Sequence, residues 1–140
     1  MRPMYETPAH RSAEGAVAAS LAGRWRAELM PTPRAYPVDY VAYRGGRAAA
    51  FVEVKVRRNP RRAYPTYMIS AHKLASAVSL RQATTLPVLL VVRWADATGW
   101  VELQPTPWIE PGGRADRGDR QDREPCAHIP IDDFKLLESA

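Results

Sequence analysis

The run Pro87-Val-Leu-Leu-Val-Val-Arg-Trp94 constrains this chain more than any other segment. A strand with almost no polar residue has to be covered on both faces, which places it inside a sheet flanked by helices. The patterns around it supply those layers. Thr7-Pro8 reads as the N-cap and first position of a helix. That helix continues to about Leu21 with a stripe of His10, Glu14, Val17 and Leu21. WRAELM (25–30) reads as a first strand, and Pro31, Pro33 and Pro37 exclude a regular helix in the link that follows. Ser70 is a good N-cap for a second helix running to about Gln82, with Ala71, Leu74, Ala75 and Val78 as its buried stripe. GWVELQ (99–104) alternates as a neighbouring strand. CAHIP (126–130) fits a last strand, and residues 132–137 a short terminal helix with Phe134 and Leu137 turned inward. The expected fold is α/β: a central mixed sheet of about five strands with a helix on each side.

At 140 residues the chain is expected to be one domain. Within it, residues 105–125 read as a flexible charged loop: four prolines, Gly112-Gly113 and the run RADRGDRQDRE, with no apolar face after Ile109. No stretch of about 18 apolar residues exists, so no membrane span is expected. Arginines and glutamates interrupt residues 1–30, which leaves no secretory signal. The single Cys126 has no intrachain disulfide partner and no CxxC pattern for zinc, which fits a reducing cytoplasm. The formal net charge is +5 and unevenly spread. Residues 1–65 hold twelve Arg/Lys against five Asp/Glu, and the remainder eight against ten. Lys55, Arg57, Arg58, Arg61 and Arg62 form the densest basic cluster. Such a patch suits a phosphate backbone, and equally a solvated loop after a strand.

The basic cluster borders the stretch with the most chemistry, PVDYVAYRGGRAAAFVEVKVRR (37–58). Asp39 opens one β-like run. Arg44-Gly45-Gly46 turns the chain, and Ala48 to Val56 forms a second run. Side chains on a strand alternate faces with period two. Glu53, Lys55 and Phe51 therefore share one face, and Val52, Val54 and Val56 share the other, which reads as core. The hairpin brings Asp39 near Glu53. Two such acids repel unless a cation lies between them, and a hard divalent ion such as Mg²⁺ takes oxygen ligands of this kind. Each residue alone has a plainer reading: a surface ion pair for Glu53–Lys55, a turn or cap for Asp39, a pairing with Arg24 or His10 for Glu14. Gly-rich phosphate loops, nucleophile elbows and dinucleotide fingerprints are absent.

The spacing D-x13-E-x-K on a strand–turn–strand, within the order helix, three strands, helix, strand, resembles the PD-(D/E)XK nuclease superfamily and its restriction-endonuclease-like αβββαβ core. The match covers residues 8 to about 104; the proline stands at Pro37, one place earlier than the motif has it, with Val38 before Asp39. The resemblance implies a divalent-metal-dependent DNA endonuclease using Mg²⁺ or Mn²⁺. Asp39, Glu53 and the Val54 carbonyl would be metal ligands, Glu14 from the first helix would complete the site, and Lys55 would act on the attacking water. Lys73 on the second helix would reach the site as lysines of some relatives do, or lie along the surface as a solvated lysine. Arg57, Arg58, Arg61 and Arg62 would meet DNA. Tyr67 and Ser70 would contact phosphate, or Ser70 would cap the helix. Small members with a first-helix glutamate resemble Holliday junction resolvases and phage-type nucleases, which suggests branched DNA and a homodimer. The alternatives are a non-catalytic nucleic-acid-binding module of the same fold and a protein-interaction subunit.

Overall fold

The computed structural model describes residues 8–33, 36–106, 109–111 and 125–137, with side chains from Ala13 onward except that of Pro111. Helix α1 (Pro8–Trp25) is followed by strands β1 (Glu28–Pro31), β2 (Tyr40–Arg44) and β3 (Arg47–Val56). A 3-10 turn (Arg61–Ala63) leads to β4 (Thr66–Ser70), helix α2 (Ala71–Thr84), β5 (Val88–Arg93) and β6 (Thr98–Glu102). Strands β7 (Ile109–Pro111), β8 (Pro125–Pro130) and β9 (Lys135–Leu136) complete the described chain, with a second 3-10 turn at Ile131–Asp133. The main sheet has the order β1-β2-β3-β5-β6-β9, and a second sheet the order β4-β8-β7. Among the described residues, β3 and β5 pair in parallel within the main sheet and its other pairs are antiparallel.

The apolar run at 87–94 does lie inside the sheet as β5. Val88, Leu90, Val91 and Val92 are all essentially inaccessible. Burying each such side chain contributes roughly 1.5–3 kcal/mol before entropy is counted. The two faces of β3 serve two cores. Val52 and Val54 pack with Val17 and Leu21 of α1 and with Val91. Phe51 packs with Leu74 and Ala77 of α2, Tyr67 and Ile69 of β4, Ala127 of β8 and Phe134. The second core includes side chains of both sheets.

The two-residue turn between β2 and β3 has positive φ at Gly45 (59°) and Gly46 (76°), the combination that glycine adopts without strain. Helix α2 starts where Ser70 predicts, its hydroxyl accepting from the Lys73 N–H at 3.0 Å. It ends at Thr85 in the left-handed region.

Several expectations are corrected. Helix α1 runs one turn past Leu21, to Trp25, so β1 begins at Glu28. On α2 the inward face is Leu74 and Ala77, and Ala75 is exposed, because the helix presents its Ser70–Lys73–Ala77 side to the sheet. Residues 66–70 form β4, part of a second sheet that the expected five strands did not include. Residues 132–137 are not a helix. Phe134 is buried, but Lys135–Leu136 joins the edge of the main sheet against Gly99 and Trp100. Ile109–Pro111 pairs with β8 inside the stretch read as a loop, while 107–108 and 112–124 lie outside the described residues. Among the described residues no helix is long and apolar enough to cross a membrane.

Candidate active site

The site sits where β2 stops and β3 continues. Strand β2 pairs with β3 up to Tyr40–Val52, while β3 runs on to Val56 beside β5. The Phe51 N–H donates to the Pro87 carbonyl, so the backbone groups of residues 51, 53 and 55 point toward β5. Those of Val52 and Val54 therefore point toward β2, and Val54 meets an edge that β2 has left open. Asp39 fills that position: its Oδ2 accepts from the Val54 N–H at 2.8 Å. The Asp39 backbone is fixed on both sides, its N–H donating to Val52 O (3.1 Å) and its carbonyl accepting from Thr32 N–H (2.9 Å). The Thr32 hydroxyl also donates to the Val38 carbonyl. This clamp was not visible in the proline-rich link, because nothing local in Thr32 marks it as a partner of residue 38 or 39.

Glu53 is 2% exposed. Its Oε1 accepts a hydrogen bond from Lys73 Nζ and lies 3.3 Å from Lys55 Nζ. Its Oε2 is buried with no hydrogen-bond partner in the described structure. A buried carboxylate oxygen left bare is costly, and it is a ready ligand for a cation. Burial, and after it the charge of Glu53, holds the Asp39 pKa above the usual aspartate value; the Val54 N–H, Lys55 and Lys73 pull it back. Burial pushes the Lys55 ammonium toward lower pKa, but Glu53 and Asp39 more than offset this and its pKa ends above the usual lysine value. The structure therefore brings together Asp39, Glu53, Val54, Lys55 and Lys73.

Helix α1 covers the valine face of β3, through Val17 and Leu21, whereas Glu53 belongs to the opposite face. Glu14 is half-buried and takes part in an interaction. Among the described residues no three His, Cys, Asp or Glu side chains converge as a metal-binding group. The side chain of His10 lies outside the described residues.

The basic rim is less uniform than its sequence suggests. Arg57 donates to the Tyr67 hydroxyl (2.8 Å) and stacks over that ring (5.4 Å). Tyr67 is itself buried edge-on against Phe134, so it is core rather than an open phosphate contact. Ser70 is the α2 cap. Arg61 is largely buried, lying 3.6 Å from Asp132 and donating to the Ile131 carbonyl. Arg62 pairs with Asp132 at 2.8 Å at the surface. Arg58 is exposed. His72 is exposed too, and His128 bonds Thr66 and lies 3.5 Å from Glu110.

Asp39 at an open strand edge, beside the buried Glu53 of a Glu-x-Lys run on a central strand, is the arrangement that the PD-(D/E)XK motif describes. The chain belongs to the family described as "Phage putative PDDEXK endonuclease", which it matches over residues 1–137. Its fold is similar to that of Hjc, a Holliday junction resolvase from the archaeal hyperthermophile Archaeoglobus fulgidus, with a TM-score of 0.55 at 15% identity, covering 90% of this chain and 91% of that one. No curated protein matches the chain.

Proposed function

We propose that this nuclease is a divalent-metal-dependent DNA endonuclease, with Mg²⁺ or Mn²⁺ as cofactor, acting on branched DNA in the cytoplasm as a homodimer. The observation that carries the reading is the unpartnered, buried Oε2 of Glu53 beside the Asp39 carboxylate. This donor set is all oxygen and suits a hard cation. Asp39, Glu53 and the Val54 carbonyl, which the strand alternation turns to the same open edge, would hold it. When bound, such an ion supplies Lewis-acid stabilisation of phosphoryl charge and acidifies water.

The protein's own residues do the rest. Lys55 orients the attacking water and stabilises charge that develops on the phosphoryl oxygens. Water oxygen bonds to phosphorus, the bond to the leaving sugar oxygen breaks, and the proton lost by water balances the one gained by the leaving group. Lys73 fixes the Glu53 carboxylate by holding one of its oxygens. Arg58 and Arg62 supply phosphate contacts on the rim. The branched-DNA and dimer parts rest on the fold it shares with the resolvase, since two sites about a two-fold axis cut two strands.

Cleavage of a panel of four-way, flap, duplex and single-stranded DNA with Mg²⁺, Mn²⁺ or chelator tests the reading. Metal-dependent cleavage that favours branched substrates and is lost in Glu53→Gln is the expected result. Equal cleavage in chelator removes the metal, and preference for linear DNA removes the branched substrate.

A further inference from the structure

Among the described residues Tyr64 is the most exposed large hydrophobic side chain, at 63%. It stands in the link from β3 to β4, after Arg57, Arg58, Arg61 and Arg62. The backbone of this link is held on both sides of the tyrosine. Before it, the Asn59 carbonyl accepts from Ala95 N–H (3.1 Å), Asp96 Oδ1 accepts from Arg61 N–H (2.8 Å), and the Pro60 carbonyl accepts from Ala63 N–H (3.1 Å). After it, the Pro65 carbonyl accepts from Ile131 N–H (2.9 Å). Pro65 restricts the residue before it to extended backbone, and Tyr64 has φ −134° and ψ 148°. A tyrosine on a backbone fixed in this way loses little freedom when something packs against its ring. Hydrophobic side chains scattered singly over a surface need no explanation. This one stands among arginines at the border of an acid site.

Tyr67, three residues further on, feels the charges of Lys55 and Glu53, and its hydroxyl holds Arg57. Three residues of chain span at most about 11 Å, so Tyr64 lies on the rim of that group. We propose that Tyr64 stacks on an unpaired base of the DNA strand that lies on Glu53 and Lys55, while Arg58 and Arg62 meet its phosphates. This deepens the DNA-nuclease reading above and rests on it. A base inside a duplex has both faces covered by its neighbours, so an aromatic platform is usable only where a base is out of the stack. Every base has a π-face, so the platform is indifferent to which base it meets. The enzyme thus selects DNA by structure, favouring flaps and gaps over continuous duplex, without reading sequence.

Fluorescence anisotropy gives the affinity for a continuous duplex and for the same duplex with a short single-stranded gap, in chelator and in Ca²⁺, so the test does not depend on turnover. 2-Aminopurine at successive positions in the gap reports a stack on the ring as a loss of fluorescence. The expected result for the unmodified protein is at least roughly tenfold tighter binding of the gapped duplex, with one gap position quenched. Tyr64→Ala should weaken binding of the gapped duplex by about five- to a hundredfold and remove the quench. It should leave the affinity for continuous duplex and the log–log salt slope unmoved, because no charge is lost. Tyr64→Phe and Tyr64→Trp keep an aromatic face and should retain both affinity and quench; circular dichroism verifies that each variant is folded. The stacking role is overturned if Tyr64→Ala binds the gapped duplex as tightly as the unmodified protein, if it weakens both duplexes equally, or if Tyr64→Phe is as weak as Tyr64→Ala. Unchanged DNA binding with a loss of self-association in sedimentation would put Tyr64 on a contact between protein chains instead. In each of these cases DNA binding itself stands. If the unmodified protein binds neither duplex, the DNA-nuclease reading falls, and the stacking role with it.

Discussion

Asp39 stands beside Glu53, rather than beside Val52, because the β2–β3 ladder shifts by one residue between Ala42 and Tyr43. The turn pairs Arg44 with Arg47 and Tyr43 with Ala48. Continued without a break, that register would set Asp39 opposite Val52, on the face covered by α1. Ala42 instead pairs with Ala50 and Tyr40 with Val52, leaving Ala49 as an extra residue. A bulge of this kind reverses which face every later side chain meets. The acid pair exists because of it.

Pairing two acids has a cost that pH should reveal. The Asp39 pKa is raised, first by burial and then by Glu53. A carboxyl with a higher pKa in the folded chain than in the unfolded chain holds its proton more tightly when folded, so its ionisation lowers stability. The loss is complete above the raised value, shrinks as pH falls from there toward the ordinary 3.8, and is gone below it. Without metal, Asp39→Asn should therefore melt higher than the unmodified protein at neutral pH, and the difference should vanish in acid. Mn²⁺ should raise the melting temperature of the unmodified protein and leave the variant unmoved. Thermal melts across a pH series, with and without Mn²⁺, measure both effects.

Lys55→Ala should slow the chemical step by two or more orders of magnitude, about 3 kcal/mol in the barrier, with little change in DNA affinity. Lys55 is one-third exposed beside a buried carboxylate, and its charge matters most where negative charge develops. Single-turnover cleavage and a binding isotherm on the same substrate separate the two quantities. Near-normal single-turnover rates would make the Glu53–Lys55 pair structural.

Glu53→Gln should abolish Mn²⁺ binding, whereas Glu14→Gln should retain it. Glu53 offers its bare Oε2 at the site, while α1 lies on the other face of β3. Loss of Mn²⁺ binding in Glu14→Gln would bring Glu14 back as a ligand. Calorimetric or resonance titration of each variant decides between these outcomes.

The arginines should divide by their partners. Arg58→Ala and Arg62→Ala each remove one exposed charge, so each should lower the log–log salt slope of DNA binding by about one unit. Arg61→Ala should instead lower stability by about 1–2 kcal/mol, since Arg61 is largely buried and bridges to Asp132 and the Ile131 carbonyl. Salt titrations of affinity and urea melts of the three variants check this. A full unit of salt slope lost in Arg61→Ala, with normal stability, would put that residue on the DNA instead.

What the sequence determined by itself is what repeats within a few residues. Period two put Glu53 and Lys55 on one face of β3, continuous apolarity put Val88–Arg93 inside the sheet, and the Ser70 hydroxyl marked the start of α2. Backbone geometry sets each of these locally. Tertiary structure decided the rest. The shift at Ala49 is invisible in spacing, since the two glycines imply the opposite register. That Lys73 reaches Glu53 depends on how α2 is rotated over the sheet, which packing of Leu74 and Ala77 sets. Thr66–Ser70 and Lys135–Leu136 are too short to declare themselves as strands and exist through partners about sixty and thirty-six residues away. Glu14 shares the apolar stripe of α1, as its spacing said, but which face of the sheet that stripe covers is fixed by contacts with Val52 and Val54 that no local pattern encodes.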